Sequence, residues 1–139
     1  MNIQENFPLK TFNTFGVEAK AKYFAEVNSL EELKETLQFS YSPILVLGGG
    51  SNLLFTKDFD GLVIKLNLKG ISEEILDENH VLVTAKAGEN WHEFVQFTIS
   101  KNYGGLENLS LIPGNVGTCP IQNIGAYGTE MKDHFTSCK

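Results

Sequence analysis

The segment of this sequence best suited to chemistry is a run of glycines followed by two polar residues. Residues 48–50 are all glycine, come directly after the apolar run Ile44–Leu47, and precede Ser51 and Asn52. Glycine loses backbone entropy on folding, but its freedom in φ lets successive N–H groups line one concave surface. Such a surface, with two side-chain donors beside it, would suit a pyrophosphate.

The glycine segment matches neither of the common phosphate-binding motifs. It lacks the G-K-[ST] of a Walker A sequence, and Gly48, Gly50 and Leu53 do not complete G-x-G-x-x-G. A tight turn between two strands is therefore the interpretation that the motif alone favours, and phosphate binding is the alternative.

A second glycine-rich segment favours ligand binding over a simple turn. Residues 104–128 show neither helical nor strand periodicity, yet they are too apolar for a solvated linker. Glycines allow a ligand to approach the backbone, and polar side chains recur between them. A flat heteroaromatic ligand that carries a pyrophosphate would explain both segments. An irregular loop packed on its own side chains remains the alternative.

The titratable residues give weaker signals. Glu89 and His92 could form an acid–base pair, but a glutamate at the start of a helix more often caps it. The cysteines, Cys119 and Cys138, are predicted to be free thiols, because no C-x-x-C motif or histidine at ligand spacing accompanies them. We predict no metal site.

The sequence before the glycines predicts the start of a βαβ unit. A strand is predicted at residues 22–27, followed by a helix that a Ser29–Glu32 capping box begins. The helix should end near Phe39 and turn Leu30, Leu33 and Leu37 toward a sheet. The apolar run Ile44–Leu47 is typical of a strand buried on both faces.

The glycine segment should be followed by two further strands and one helix. Strands are predicted at residues 61–66 and 81–87, with polar turn material at residues 73–79 between them. An amphipathic helix should run from Trp91 to Ile99 and end at a glycine C-cap within residues 102–105.

Composition excludes several classes of partner. The chain has 139 residues and a formal charge of −6, so it offers no basic face to nucleic acid or to anionic lipid. The first residues lack a signal-peptide pattern, and no apolar stretch is long enough to span a membrane. We expect a cytoplasmic protein, whose oligomeric state the sequence does not indicate.

Four blocks, in this order and spacing, closely resemble the UDP-N-acetylenolpyruvoylglucosamine reductase (MurB) family: NTFGVEAKA, ILVLGGGSNLLF, AGENWHEFV and GLENLSLIPGNVGTCPIQNIGAYGTEMKD. The resemblance implies an α+β, two-lobed FAD-binding fold like that of the vanillyl-alcohol-oxidase (PCMH) class. It further implies a first FAD-binding lobe at residues 1–66 and the beginning of a second, truncated lobe at residues 67–139. The family's substrate-binding domain has no counterpart in this chain.

The resemblance also implies the cofactor and its contacts. FAD would be bound non-covalently, with NADPH as the co-substrate and a UDP-sugar as the small-molecule substrate of the full-length enzyme. The pyrophosphate would lie on Gly48, Gly49, Gly50, Ser51 and Asn52. The rest of the cofactor would contact Pro113, Gly114, Gly117, Thr118, Cys119, Pro120, Gln122, Asn123, Gly125, Ala126 and Tyr127.

The family's reaction is the NADPH-dependent reduction of UDP-N-acetylglucosamine enolpyruvate to UDP-N-acetylmuramate in peptidoglycan synthesis. Its proton-donating serine, glutamate and arginine follow the last matching block, so no catalytic residue is assigned here. We therefore expect this 139-residue chain to be inactive alone. The alternatives are a stand-alone flavin- or nucleotide-binding module, and another two-lobed FAD oxidoreductase.

Overall fold

A computed structural model describes residues 2–138. The chain divides into two compact units, and the boundary falls between Leu68 and Lys69. The strands are β1 (Ile3–Pro8), β2 (Lys20–Val27), β3 (Ile44–Leu47), β4 (Phe59–Leu66), β5 (Ile71–Ile75), β6 (Val81–Ala85), β7 (Gly125–Ala126) and β8 (Thr129–Glu130). The α-helices are α1 (Leu30–Leu37), α2 (Trp91–Ser100) and α3 (Cys119–Gln122). Within these residues no helix is both long enough and apolar enough to cross a membrane.

The first unit is a four-stranded sheet in the order β1-β2-β4-β3. Both β2 and β3 run parallel to β4, and β1 pairs antiparallel with β2. Since α1 connects β2 to β3, the predicted βαβ start is confirmed. The two faces of the sheet carry separate apolar clusters, one around Phe24 and Val63 and the other around Ala25 and Ile64.

The prediction that β3 is buried on both faces is wrong. It is an edge strand in the described sheet, and the side chains of Ile44 and Val46 are 41% and 56% exposed. The helix α1 does not cover them, because its Leu33 packs against the cluster of β2 and β4 residues. A short apolar run gives no information about which neighbours a strand has.

The start of α1 follows the predicted capping pattern, with one change. The Ser29 side chain accepts a hydrogen bond of 3.1 Å from the N–H of Glu32, as predicted. The Glu32 carboxylate, however, accepts from the N–H of Asn28, the residue before the N-cap. The predicted apolar stripe is only partly correct, because Leu30 and Leu37 are exposed while Thr36 is fully buried.

The second unit contains an antiparallel β5–β6 hairpin and helix α2. The predicted helix from Trp91 is confirmed, with Asn90 as its N-cap. Asn102, and not a glycine, takes the left-handed conformation after the helix, with φ of 60°. Strand β5 includes residues 73–75, so the prediction of a turn there is wrong. Alternation is hard to recognise in this strand because it contains three consecutive polar residues. Buried Trp91, Val95 and Leu109 form the centre of this unit's core.

Candidate cofactor-binding site

The glycine loop, residues 48–52, leaves β3 at the carboxyl end of the parallel strands, where ligands of open α/β sheets bind. Carbonyl groups at Gly48 and Gly50 accept hydrogen bonds from the protein. The carbonyl oxygen of Gly50 accepts from the main-chain N–H of Thr14 at 3.1 Å, and that of Gly48 accepts from the Lys65 ammonium. In a planar trans peptide the C=O and N–H groups point in opposite directions. The N–H that follows an anchored carbonyl therefore points away from its anchor.

Most main-chain donors of this loop have no acceptor in the described part of the chain. Over residues 2–138, the N–H groups of Gly48, Gly49, Gly50 and Asn52 donate to no protein acceptor. Gly50 is buried and Gly48 and Gly49 are half-buried, and unpaired N–H groups at such positions are costly. These donors fit a ligand rich in acceptor oxygens. The residues present therefore fit the diphosphate of a dinucleotide.

A neighbouring loop holds the glycine loop in position. A Cβ atom on Gly50 would lie 2.0 Å from the carbonyl oxygen of Phe12, so only glycine fits there. Gly50 also has φ of 66°, which other residues rarely adopt. The buried Asn13 fixes the supporting loop, because its side-chain amide donates to the carbonyls of Leu9 and Val17 at 2.8 and 3.1 Å. Its Oδ1 accepts from the N–H of Val17 at 3.0 Å.

The 105–128 segment is ordered by main-chain hydrogen bonds to residues 87–91. The N–H of Gly117 donates to the Ala87 carbonyl at 3.0 Å, and the N–H of Val116 donates to the Glu89 carbonyl at 2.8 Å. The close approach depends on Gly117, where a Cβ atom would lie 2.5 Å from the Cβ of Ala87. The segment thus contains short helical turns and the β7–β8 hairpin, although its sequence shows no periodicity.

Several predicted contact residues in this segment have partners within the chain. The Thr118 hydroxyl donates to the Asn115 carbonyl at 2.9 Å and accepts from the Gln122 side chain at 2.9 Å. A Cβ atom on Gly114 would lie 2.9 Å from that same Gln122 amide. These residues form one local network at the start of α3.

The Cys119 side chain lies in the core of the second unit, beside Trp91 and Met131. Burial raises the pKa of its thiol to about 11. A contact from this residue to a ligand would therefore come from its main chain. Both cysteines are free thiols, as the sequence predicted, and Cys138 is exposed.

The remaining predicted residues lie at the surface of the second unit. Tyr127 is 87% exposed at the turn of the β7–β8 hairpin. Asn123, Gly125 and Ala126 line an open cavity of about 410 Å³. Glu130, Lys132 and Asp133 also line it. Because Lys132 is paired with Glu130 and Asp133 adds a further carboxylate, this cavity suits an uncharged part of a ligand better than a phosphate. The exposed residues Pro113 and Pro120 complete the set.

The alternative pairing of Glu89 with His92 finds no support among the described contacts. The Glu89 carboxylate accepts from the N–H of Gly70 at 2.5 Å and lies 3.5 Å from the Lys69 ammonium. His92 Nδ1 lies 3.0 Å from the Ser110 hydroxyl oxygen. Among residues 2–138 no group of three or more metal-ligating side chains lies together.

Sequence reasoning did not identify Thr14 and Lys65 beside the glycine loop. The position of Thr14 could have been suspected from the neighbouring Asn13, because asparagine side chains often fix loops by hydrogen bonds to nearby main-chain groups. Lys65 gives none, because its position depends on the register in which β4 pairs with β3.

Comparisons with known proteins identify the family of this chain. The model of the FAD binding domain family matches residues 21–139. A UDP-N-acetylenolpyruvoylglucosamine reductase of Flavobacterium johnsoniae is 60% identical over 141 aligned residues, which cover 99% of this chain and 41% of the relative. The same enzyme of Pseudomonas fluorescens is 52% identical, covering 97% of this chain and 41% of the relative.

A solved structure gives the same result. The crystal structure of UDP-N-acetylenolpyruvylglucosamine reductase (MurB) from Thermus caldophilus superposes with a TM-score of 0.74 and 30% identity, covering 96% of this chain and 46% of that one. The predicted α+β FAD-binding fold is thereby confirmed. The chain spans about two fifths of the length of the curated relatives it matches. By the match over residues 21–139, this chain belongs to the FAD binding domain family, and it is similar in sequence to UDP-N-acetylenolpyruvoylglucosamine reductases.

Proposed function

We propose that this chain is the FAD-binding portion of an NADPH-dependent reductase that converts UDP-N-acetylglucosamine enolpyruvate to UDP-N-acetylmuramate. The observation that carries the proposal is the set of main-chain donors at Gly48, Gly49 and Gly50, which have no acceptor in the described protein. The names and similarity of the relatives support the choice of reaction. A cytoplasmic location goes with it, because the substrate is a nucleotide-activated sugar.

The glycine loop, residues 48–52, would hold the FAD diphosphate. The protein carries a formal charge of −6, so its overall field repels an anion. Main-chain N–H groups act at short range and do not depend on that field. The anchored Gly50 carbonyl supports this assignment, since it keeps the loop in one conformation before a ligand arrives.

The 105–128 segment would contact the rest of the cofactor. Residues with internal partners, such as Thr118 and Gln122, would act by holding the backbone in shape. Exposed residues, such as Tyr127 and Pro113, would offer surface to an aromatic ring system. Bound FAD would supply the hydride-transfer chemistry, for which no side chain is a substitute. We assign no proton donor to this chain.

The proposal is tested by titrating the purified chain with FAD and measuring flavin fluorescence and thermal stability. We expect saturable binding and a higher melting temperature with FAD. A Gly49→Val variant should bind far more weakly, since a β-branched side chain would obstruct access to the neighbouring N–H groups. A Gly104→Ala variant is the matched control, because a Cβ atom there meets nothing within 4 Å. Wild-type chain that neither binds FAD nor gains stability would contradict the proposal.

Turnover is measured separately. NADPH oxidation that depends on UDP-N-acetylglucosamine enolpyruvate would distinguish a reductase from a binding module. FAD binding without such turnover in the 139-residue chain is the expected result, since the relatives are more than twice as long.

A further inference from the structure

Lys65 lies in a position that none of the sequence patterns indicated. It is in β4, where the register places it between Leu47 of β3 and Glu26 of β2. Leu47 is the last residue before the glycine loop, so Lys65 lies where the chain enters that loop. Its half-buried side chain donates from the ammonium to the carbonyl oxygen of Gly48.

This use of a lysine is unusual within the first unit. Two other lysines there form exposed ion pairs, Lys10 with Glu18 and Lys22 with Asp60. Such pairs contribute little to stability. The chain has 11 lysines, no arginine and 17 acidic residues. The chain therefore has few cations that could offset the charge of an anionic ligand, and Lys65 is one that contacts the main chain of the glycine loop.

The hydrogen bond to Gly48 has a geometric consequence for the next residue. Because the peptide between Gly48 and Gly49 is planar and trans, fixing the Gly48 carbonyl toward Lys65 directs the Gly49 N–H away from it. That N–H has no protein acceptor among the described residues. A cation on the carbonyl also polarises the peptide, which makes the N–H on its other side a stronger donor.

We propose that Lys65 is a positioning residue for the diphosphate of the dinucleotide. Its ammonium fixes the Gly48 carbonyl, so that the Gly49 N–H faces the ligand. Its charge also reduces the repulsion between the acidic protein and the diphosphate. This inference rests on the proposed function of the glycine loop and adds a residue that acts through the Gly48–Gly49 peptide.

Glu26 works against this effect. Its register position beside Lys65 puts a carboxylate on the neighbouring strand, and Glu26 is exposed. A Glu26→Gln variant should therefore bind the diphosphate more tightly than wild type.

The test compares Lys65→Met, Lys65→Gln and Lys65→Arg in the 139-residue chain, with Lys22→Met as the control on the same sheet. Affinities are measured for FAD, for ADP and for adenosine, which lacks the diphosphate. Lys65→Met should weaken FAD and ADP by about tenfold, the scale of a charge-assisted hydrogen bond, and leave adenosine unchanged. The affinity of Lys65→Gln for FAD and ADP should lie between those of wild type and Lys65→Met. Lys65→Arg should retain most of the wild-type affinity.

Ionic strength gives a second measurement on folded protein. Added salt should weaken ADP binding to wild type more steeply than to Lys65→Gln, because only wild type carries the charge. Equal affinities and equal salt dependence in wild type and Lys65→Gln would overturn the inference. Loss of adenosine binding together with ADP binding would also overturn it, since it would indicate a general distortion. Failure of wild type to bind either nucleotide would instead contradict the proposed function.

Discussion

The main-chain N–H of Thr14 donates a hydrogen bond of 3.1 Å to the carbonyl oxygen of Gly50. Through this bond the loop that follows β1 supports the loop that follows β3. The bond holds the glycine loop by one of its carbonyl groups, while the N–H groups of Gly48, Gly49 and Gly50 have no acceptor among the described residues. This geometry supports the proposal that an acidic chain binds the diphosphate through main-chain donors.

Substituting Gly50 should be more damaging than substituting another glycine with the same backbone conformation. Gly16 and Gly50 have φ of 63° and 66°, but a Cβ atom meets nothing within 4 Å at Gly16 and lies 2.0 Å from Phe12 O at Gly50. Gly16→Ala should lower the free energy of unfolding by about 1 kcal/mol. Gly50→Ala should lower it by about 3 kcal/mol or more, since overpacking is added to strain. Equal losses in urea denaturation would contradict the proposed contact.

The buried Asn13 should be essential to the loop that supports the glycines. Asn13→Ala removes three hydrogen bonds and leaves the carbonyl of Val17 and its N–H without these partners. We expect the free energy of unfolding to fall by about 2–3 kcal/mol. Asn108 is exposed, so Asn108→Ala serves as the control. This variant should change the free energy of unfolding by less than about 0.5 kcal/mol. A similar effect of both variants would show that the Asn13 bonds do not matter.

In the second unit, Gly117 should tolerate no side chain. Gly117→Ala would place a Cβ atom 2.5 Å from the Cβ of Ala87, whereas Gly104→Ala meets nothing within 4 Å. The first variant should lower the free energy of unfolding by about 1–3 kcal/mol and the second should have a smaller effect. Adding Ala87→Gly to Gly117→Ala should recover part of the loss, as a double-mutant cycle would measure. Full additivity of the two substitutions would argue against the contact.

The two thiols should differ sharply in reactivity. Burial raises the pKa of Cys119 to about 11, so at pH 8 only about one molecule in a thousand carries its thiolate. Cys138 is exposed. Iodoacetamide at pH 8 should therefore modify Cys138 first, and modification of Cys119 should accelerate as the pH rises toward its pKa. Rapid alkylation of a Cys138→Ser variant at pH 8 would contradict the buried position of Cys119.

Local chemistry made part of the fold predictable from the sequence. The Ser29 cap and the start of α2 at Trp91 depend on residues within a few positions of one another, and both were predicted correctly. The exposure of Val46 could not be predicted, because it depends on which strands and helices pack beside β3.

The same distinction holds for the site. Residues 48–52 could be proposed because consecutive glycines are a local signal. Lys65 could not, since only the β3–β4 register brings it to Gly48. The hydrogen bond between Thr118 and Gln122 could likewise not be predicted, because the sequence of this segment has no periodicity from which to infer its structure.

The most direct test follows the loop's own N–H groups by two-dimensional amide NMR while the 139-residue chain is titrated with FAD and with ADP. We expect the amide signals of Gly48, Gly49 and Gly50 to shift strongly and saturably with both ligands, and hardly at all with adenosine. Saturable FAD binding that leaves these signals unmoved would contradict the claim that main-chain donors hold the diphosphate.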